Sequence, residues 1–542
     1  MLRTPPLGSM ILIALAASLA CGGPKAQAGS GSNSQAAKQN TPTEPIRDPR
    51  TPVDVTQRSL QGLTFEVFRG GKKIEPPKAD PDEVFMLKYQ GIPGVLTFRG
   101  GPLRDSPSYG VAKVREKKLK KIWQFGTGTS RGRWGGGAGW TGQPSIVTWP
   151  GKVRGLMNLK EPYKSTNGFT EVIQASLSGQ VYFIDLKTGK ATRNPISIGN
   201  PIKGSVAVHP YGVPMLYVGD GINETGKVGF RLFSLIDQKM LHFFTTQDPI
   251  APRRWPGNDC SALFNAANDT LVVGSENGLI HRIDLGTKWD PATGKLSVNP
   301  TDTKLKFKTK YTREQGTENS IAVYKNLAYF ANNGGDLVCL DLMTMRPVWN
   351  RDITDDTDAT VVIDVESEGK WGVYTGCEVD KQGAKGFCYV RKFDGLTGKL
   401  AWANKYKCFT IYGEHPVNGG LLATPIVGKK KASDRVVFSL ARWGTMNGGL
   451  LVALDKKTGK EIWRRKLPNY AWSSPVDFYD AEGNMYIVQC TSAGEMKLID
   501  GASGEILDEL NFGSNIEASP AIYENTIVVA ARGTIVYGVR IL

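Results

Sequence analysis

The sequence predicts an all-β fold, an eight-bladed β-propeller of four-stranded antiparallel blades closed by an N-terminal strand. The first observation behind this is a recurring phrase, clearest at residues 448–463: Gly-Gly-Leu-Leu-Val-Ala-Leu-Asp-Lys-Lys-Thr-Gly-Lys-Glu-Ile-Trp. An apolar run of strand length ends at Asp455, whose carboxylate can hydrogen-bond the turn backbone. Gly459 can take a positive φ, and Ile462 and Trp463 start a return strand. The phrase recurs at Asp185 with Gly189, Asp284, Asp341 with Trp349, Asp394 with Gly398 and Trp402, and Asp500 with Gly504. Ser234 and Val539 hold the Asp slot in two weaker copies, and in three copies the Trp follows the Asp by eight residues. The second observation is the spacing from slot to slot, which runs 49, 50, 57, 53, 61, 45 and 39 residues. A period of roughly 40–60 residues built of strands and turns is that of propeller blades. The third is that residues 518–523, 526–531 and 534–541 supply only three strands. A fourth is available at residues 120–125, Lys-Lys-Ile-Trp-Gln-Phe, which matches the Trp-bearing return strand. Pairing the two removes exposed sheet edges.

Taken from the N-terminus, Arg3 precedes an apolar run at residues 10–20 and then Cys21. The run is too short to span a bilayer and suits a signal peptide over residues 1–20. Ser18-Leu19-Ala20-Cys21 resembles a bacterial lipobox, with Ser18 where Leu is usual, so Cys21 is expected to carry a lipid. Gly22 in place of Asp resembles lipoproteins forwarded to the outer membrane, with the face left open. Residues 21–60 are expected to be a flexible tether, because 22–53 are rich in Gly, Ser, Gln, Lys, Pro and Thr and nearly devoid of large apolar residues. A lead-in segment spans 61–118, in which 63–68 and 84–89 alternate as strands and the prolines at 76–81 break the chain between them. The propeller covers 119–542, with an opening strand in each blade marked by a hydroxyl residue and often Pro, as in Thr424-Pro425, Ser474-Pro475 and Ser519-Pro520.

The Asp-x-x-Thr-Gly-Lys-x-x-Trp turn, the hydroxyl-Pro strands and the lead-in Phe98-Arg99-Gly100 together resemble the quinoprotein-like (PQQ-like) eight-bladed propellers, over roughly residues 96–542. That family divides into quinone-dependent dehydrogenases and non-enzymatic scaffolds. The export signal, lipobox and blade number resemble the scaffold branch that serves the outer-membrane β-barrel assembly machinery. The resemblance implies a lipid-anchored monomer that contacts envelope proteins and holds no cofactor. The dehydrogenase branch implies PQQ and calcium instead.

Composition bounds these readings. Apolar residues make up 40% of the chain and there are 12 Trp, enough for a large core. The net charge of +16 is spread along the chain and no nucleic-acid motif accompanies it, so it reads as a solvated basic surface and nucleic acid is not an expected partner. No two cysteines adjoin, although adjacent cysteines usually form the ceiling over the quinone, and there is no Cys-x-x-Cys-His haem site. His209, His242, His281 and His415 lack ligand spacing, and no nucleophile elbow or phosphate loop is present. The sequence therefore assigns no catalytic residue and no metal ligand.

One column of the repeat is a candidate ligand site. The residue two before the hydroxyl position should face one mouth of the axial channel, which gives Thr141, Lys203, Asp259, Glu318, Asp358, Leu422, Trp472 and Glu517. Four carboxylates and a Trp at one mouth suit a cation or a basic or aromatic ligand, with Trp140 and Trp134 as further walls. A solvated funnel is the competing reading of the same column. In an exported chain disulfides are permitted, and Cys377 and Cys388 flank a hairpin loop that would bring them to bridging range if it folded symmetrically. Three functions stand open at this point: an envelope scaffold, an exported PQQ-dependent oxidoreductase, and a surface ligand-binding module.

Overall fold

The computed structural model describes residues 51–129, 136–309, 315–411 and 417–542. The expected signal peptide, Cys21 and most of the tether lie outside these residues, as do Trp134 and His415. Eight sheets follow one another round the ring. Blade 1 contains Ser145–Thr148, Thr170–Ala175, Gln180–Asp185 and Ile196–Ser197. Blade 2 runs from Ala207–Val208 to Met240–Thr245, blade 3 from Leu263–Asn265 to Thr301–Lys308, and blade 4 from Ala322–Tyr324 to Arg346–Asp352. Blade 5 runs from Val362–Ser367 to Leu400–Tyr406, blade 6 from Ile426–Val427 to Glu461–Leu467, and blade 7 from Val476–Tyr479 to Ile506–Asn511. Blade 8 joins Ala521–Tyr523, Thr526–Ala530 and Ile535–Ile541 to the N-terminal strand Leu119–Gly126, with Trp123 opposite Gly538. The ring thus closes by antiparallel pairing of strands from opposite ends of the propeller sequence.

The repeated turn explains how blades adhere. In blade 6, Asp455 Oδ1 accepts from the Thr458 amide at 2.7 Å and from its hydroxyl at 2.6 Å, and Gly459 follows at φ +72°. The Trp of one blade lies over the turn of the next. Trp123, Trp349, Trp402 and Trp463 donate their indole N–H to the carbonyls of Leu186, Gly395, Lys456 and Gly501, at 2.8–3.2 Å. A methyl at Gly459 would lie 2.8 Å from the Trp402 ring, so the turn glycine leaves the space that the Trp fills. Nearer the axis the hydroxyl column links the opening strands. The amides of Gln143, Ser261, Ser320, Thr360, Thr424 and Ser474 donate to the hydroxyls of Ser205, Ser320, Thr360, Thr424, Ser474 and Ser519.

The segment ahead of the propeller departs from the tether and strand expectations in two places. Residues 51–60 lie against blade 4: Val53 N donates to Asn326 Oδ1 at 2.8 Å, Ser59 N to Val348 O at 2.9 Å, and Val53 and Val55 pack on buried core residues. The few apolar residues at the end of the expected tether are what anchor it. Thr64–Arg69 is a strand, added with Lys72–Ile74 to the outer edge of blade 3. Residues 84–89, expected to be a second strand, are not one. Phe85 and Met86 are buried, with Phe85 N bonded to Lys325 O at 3.1 Å, so burial of side chains rather than sheet pairing accounts for their apolar pattern.

The Phe-Arg-Gly lead-in plugs the axis. Gly94–Val95 pairs with blade 1, Leu96 O accepts from Val208 of blade 2, and Thr97 Oγ1 donates to Ala262 O beside blade 3. Pro102 O and Leu103 O accept from Val323 of blade 4 and Ile363 of blade 5, and Ser108–Tyr109 lies parallel to blade 8. Arg99 reaches the remaining two blades, donating to Pro425 O at 3.0 Å and Pro475 O at 2.8 Å. Arg104 donates to Ile321 O, Phe98 O and Ser261 O at 2.8–2.9 Å. Both arginines are 0% exposed. Gly100 sits at φ +78°, where a methyl would lie 1.9 Å from Ser106 O, which is why the motif needs glycine there.

Candidate functional site

Above this plug the axial channel is a cavity of about 250 Å³ with Phe98 among its lining residues. Seven of the eight column residues line it: Thr141, Lys203, Asp259, Glu318, Asp358, Leu422 and Trp472. Trp140 lines it as well, edge-on to Trp472 with centroids 5.9 Å apart. The repeat places these side chains together because each lies four residues ahead of the innermost strand of its own blade. Glu517 is the exception. It is 8% exposed and lies beside Arg532 at 3.4 Å, whose guanidinium stacks 4.5 Å from the Trp140 ring centroid.

The mouth is electrostatically uneven. Lys203 Nζ is 2.5 Å from Asp259 Oδ2 and 3.9 Å from Glu276 Oε1, and Arg253 is 3.5 Å from Glu318. Carboxylate oxygens of Asp259, Glu276 and Glu318 lie within 4.8 Å of one another, and so do those of Asp356, Asp358 and Glu378. Asp356 is also near Lys381. Burial first, then Glu318, pushes Asp356 up to about 8 against the opposing pull of Lys381. Asp259 rises to about 6 by burial, with Glu318 adding to the shift and Lys203 opposing it. Glu276, Asp358 and Glu378 are raised for the same reasons, burial leading in each. Beneath the floor, burial lowers Arg99 and Arg104 to about 10, so both stay charged at neutral pH.

Glu276, Asp356 and Glu378 did not belong to the column read from sequence. Glu276, Glu378 and Arg532 share another repeat position, two residues beyond the ends of Thr270–Gly274, Lys370–Gly376 and Thr526–Ala530. That second column was a usable signal in the spacing.

The bridge expected between Cys377 and Cys388 is not formed. Both are buried free thiols, as are Cys260, Cys339, Cys408 and Cys490. The strand register sets Gly376 opposite Val390, and Cys377 N donates to Tyr389 O while Tyr389 N donates to Cys377 Sγ, so the two cysteines are one residue out of register.

Comparison with known proteins bears on the same repeats. Residues 447–541 match the family model described as outer membrane protein assembly factor BamB. A stretch of 115 residues is 30% identical to methanol dehydrogenase (cytochrome c) subunit 1 of Methylobacterium organophilum; it spans 21% of this chain and 15% of that protein. Among solved structures, BamB from Moraxella catarrhalis aligns at 13% identity and a TM-score of 0.45, covering 78% of this chain and 97% of that one. Quinohemoprotein alcohol dehydrogenase from Comamonas testosteroni aligns at 14% identity and 0.41, covering 83% and 80%.

Proposed function

From an eight-bladed propeller built of PQQ-like repeats, we propose a lipid-anchored, non-catalytic scaffold that makes protein contacts at the bacterial outer membrane, in the assembly of outer-membrane proteins. The observation that carries this reading is the axial cavity. It is plugged by the segment that carries Arg99 and Arg104, and Glu318, Asp358 and Trp472 are among its lining residues. The family match over residues 447–541 and the lipobox ending at Cys21 support it. On this reading the chain acts as a monomer, its partners are envelope proteins, and its link to the membrane is the lipid on Cys21.

The oxidoreductase reading keeps support from the likeness to methanol dehydrogenase. The residues bear on it in two ways. PQQ carries carboxylates of its own, so beside Glu318 and Asp358 it would need a cation such as calcium between them, which the two carboxylate groups at the mouth could hold. No adjacent cysteine pair is available to cover the ring. The test pairs two measurements. Cys21→Ser is expected to move the protein from the membrane to the soluble fraction. Purified wild type given PQQ and calcium is expected to reduce no electron-accepting dye with alcohols or aldehydes. Unchanged fractionation with no acyl chain on Cys21 by mass spectrometry would sink the anchor; quinone-dependent turnover would sink the scaffold.

A further inference from the structure

We propose that the acidic arc of the axial cavity, from Asp259 through Glu318 to Asp358, binds an organic cation: a primary ammonium or a guanidinium at the end of a methylene stem. Four observations converge on this chemistry. The first is charge balance. Among the described residues six carboxylates meet at this side of the cavity (Asp259, Glu276, Glu318, Asp356, Asp358 and Glu378), and the cations acting on them are Lys203, Arg253 and Lys381. The opposite side is balanced, with Glu517 beside Arg532 and Arg442. Among the described residues the Glu318–Asp358 side is the acidic one, so a cationic ligand belongs there.

The second observation is hydrogen bonding. Asp259 Oδ1 and Glu276 Oε1, on side chains 10% and 1% exposed, have no hydrogen-bond donor but the proton their two carboxyls can share. Orphaned buried acceptors cost stability, and an ammonium or guanidinium brings several donors at once. The third is the wall. Trp140 already carries Lys203 Nζ at 5.7 Å and Arg532 at 4.5 Å from its ring centroid, and Trp472 stands edge-on beside it. Aromatic faces and methylene stems suit each other and the ring faces attract cations. The fourth is size: about 250 Å³, closed below, admits one chain-like cation but not a folded domain. A small metal ion gains nothing from the tryptophans, and at the Asp259–Glu276–Glu318 group it must compete with Lys203; at the Asp356–Asp358–Glu378 group calcium is the competitor that the titration has to separate.

Binding should be coupled to protons. At neutral pH Asp356, near 8, is mostly protonated and Asp259, near 6, is mostly charged, so protons remain for a ligand to displace. An arriving cation favours their charged forms, so protons leave as it binds. The source of the cation is either a free polyamine or a Lys or Arg side chain presented by a partner protein; the chemistry is shared.

The experiment is titration calorimetry on purified full-length protein with spermidine, Nα-acetyl-lysine amide and Nα-acetyl-arginine amide, in phosphate and in a sulfonate buffer at pH 7. The expected result is binding with buffer-dependent heat signalling proton release, at least tenfold weaker at pH 5. Glu318→Gln with Asp358→Asn should weaken it at least tenfold. Removing like charges leaves the fold intact, which a melting curve checks, and either single variant serves if the double variant fails. Tighter binding of spermidine identifies the free amine as the source; tighter binding of a blocked amino acid identifies a protein side chain. The inference is overturned by no heat with any of the three, by unchanged affinity in the variants, or by calcium binding that the amines do not displace. The test needs no membrane, so its failure is distinct from failure of the scaffold reading.

Discussion

Arg104 donates to three backbone carbonyls from a wholly buried site, one of them Ser261 O, 157 residues away. Replacing it with Met leaves those carbonyls without a donor inside the fold, and each orphan costs about 1–3 kcal/mol. Arg104→Met is therefore expected to lower the melting temperature by the equivalent of about 3 kcal/mol or more. Lys121→Met, on the exposed outer strand of blade 8, should leave it unchanged. Phe98-Arg99-Gly100 was legible as a lead-in, but its job as a plug was not. The acceptors are carbonyls, which every residue has, and they are brought under the guanidinium only when the ring closes; Pro475 is 376 residues from Arg99. The mouth is the reverse case. A column of similar positions showed which side chains share an axis, yet charge balance depended also on Glu276, Glu378 and Arg532 of a second column and on Asp356 outside both.

At the scale of the blade, the Trp-on-turn contact is the repeated unit of adhesion. It was legible where the Trp is present, and hidden where another residue does the same work. Arg193 in blade 1 donates to Leu235 O at 2.6 Å, and Arg282 in blade 3 to Leu342 O at 2.7 Å. Both acceptors follow the Asp slot of the next blade, as Leu186 follows Asp185 beneath Trp123. The requirement is an N–H at that carbonyl with a flat group behind it, which indole and guanidinium both supply. Gly459→Ala tests the contact from the other side. Its methyl would meet the Trp402 ring at 2.8–3.1 Å from a backbone at φ +72°, so a loss of about 1–3 kcal/mol is expected by thermal or chemical denaturation. Gly444→Ala, also at positive φ but with nothing near its added carbon, provides the control and should cost less.

Over the whole ring, the acidic mouth makes stability depend on pH. Carboxylates whose folded pKa lies above the unfolded value of about 4 contribute stability that is complete below that value and lost as pH rises through the folded pKa. Asp259 near 6 and Asp356 near 8 set the window, with Glu276, Asp358 and Glu378 shifted the same way. Melting temperature should therefore fall between pH 5 and 8 in the free protein. Asp356→Asn should remove part of that fall, with a clear gain over wild type at pH 8 and little at pH 4. A parallel fall in the variant would show that other groups govern the profile. The eight-bladed ring itself was the most legible feature, because blade spacing and the three-strand remnant are both written in one dimension.

The central claim is that this propeller works by contact at its acidic mouth within the envelope. The most direct measurement places a photo-crosslinking amino acid at Thr141, on the cavity wall, and irradiates cells with the membrane intact. The account predicts a discrete adduct with an envelope protein, identified by mass spectrometry and lost when Glu318→Gln and Asp358→Asn are present. Adducts that survive those substitutions, or that form only from a probe at Lys121 on the outer strand of blade 8, would contradict it.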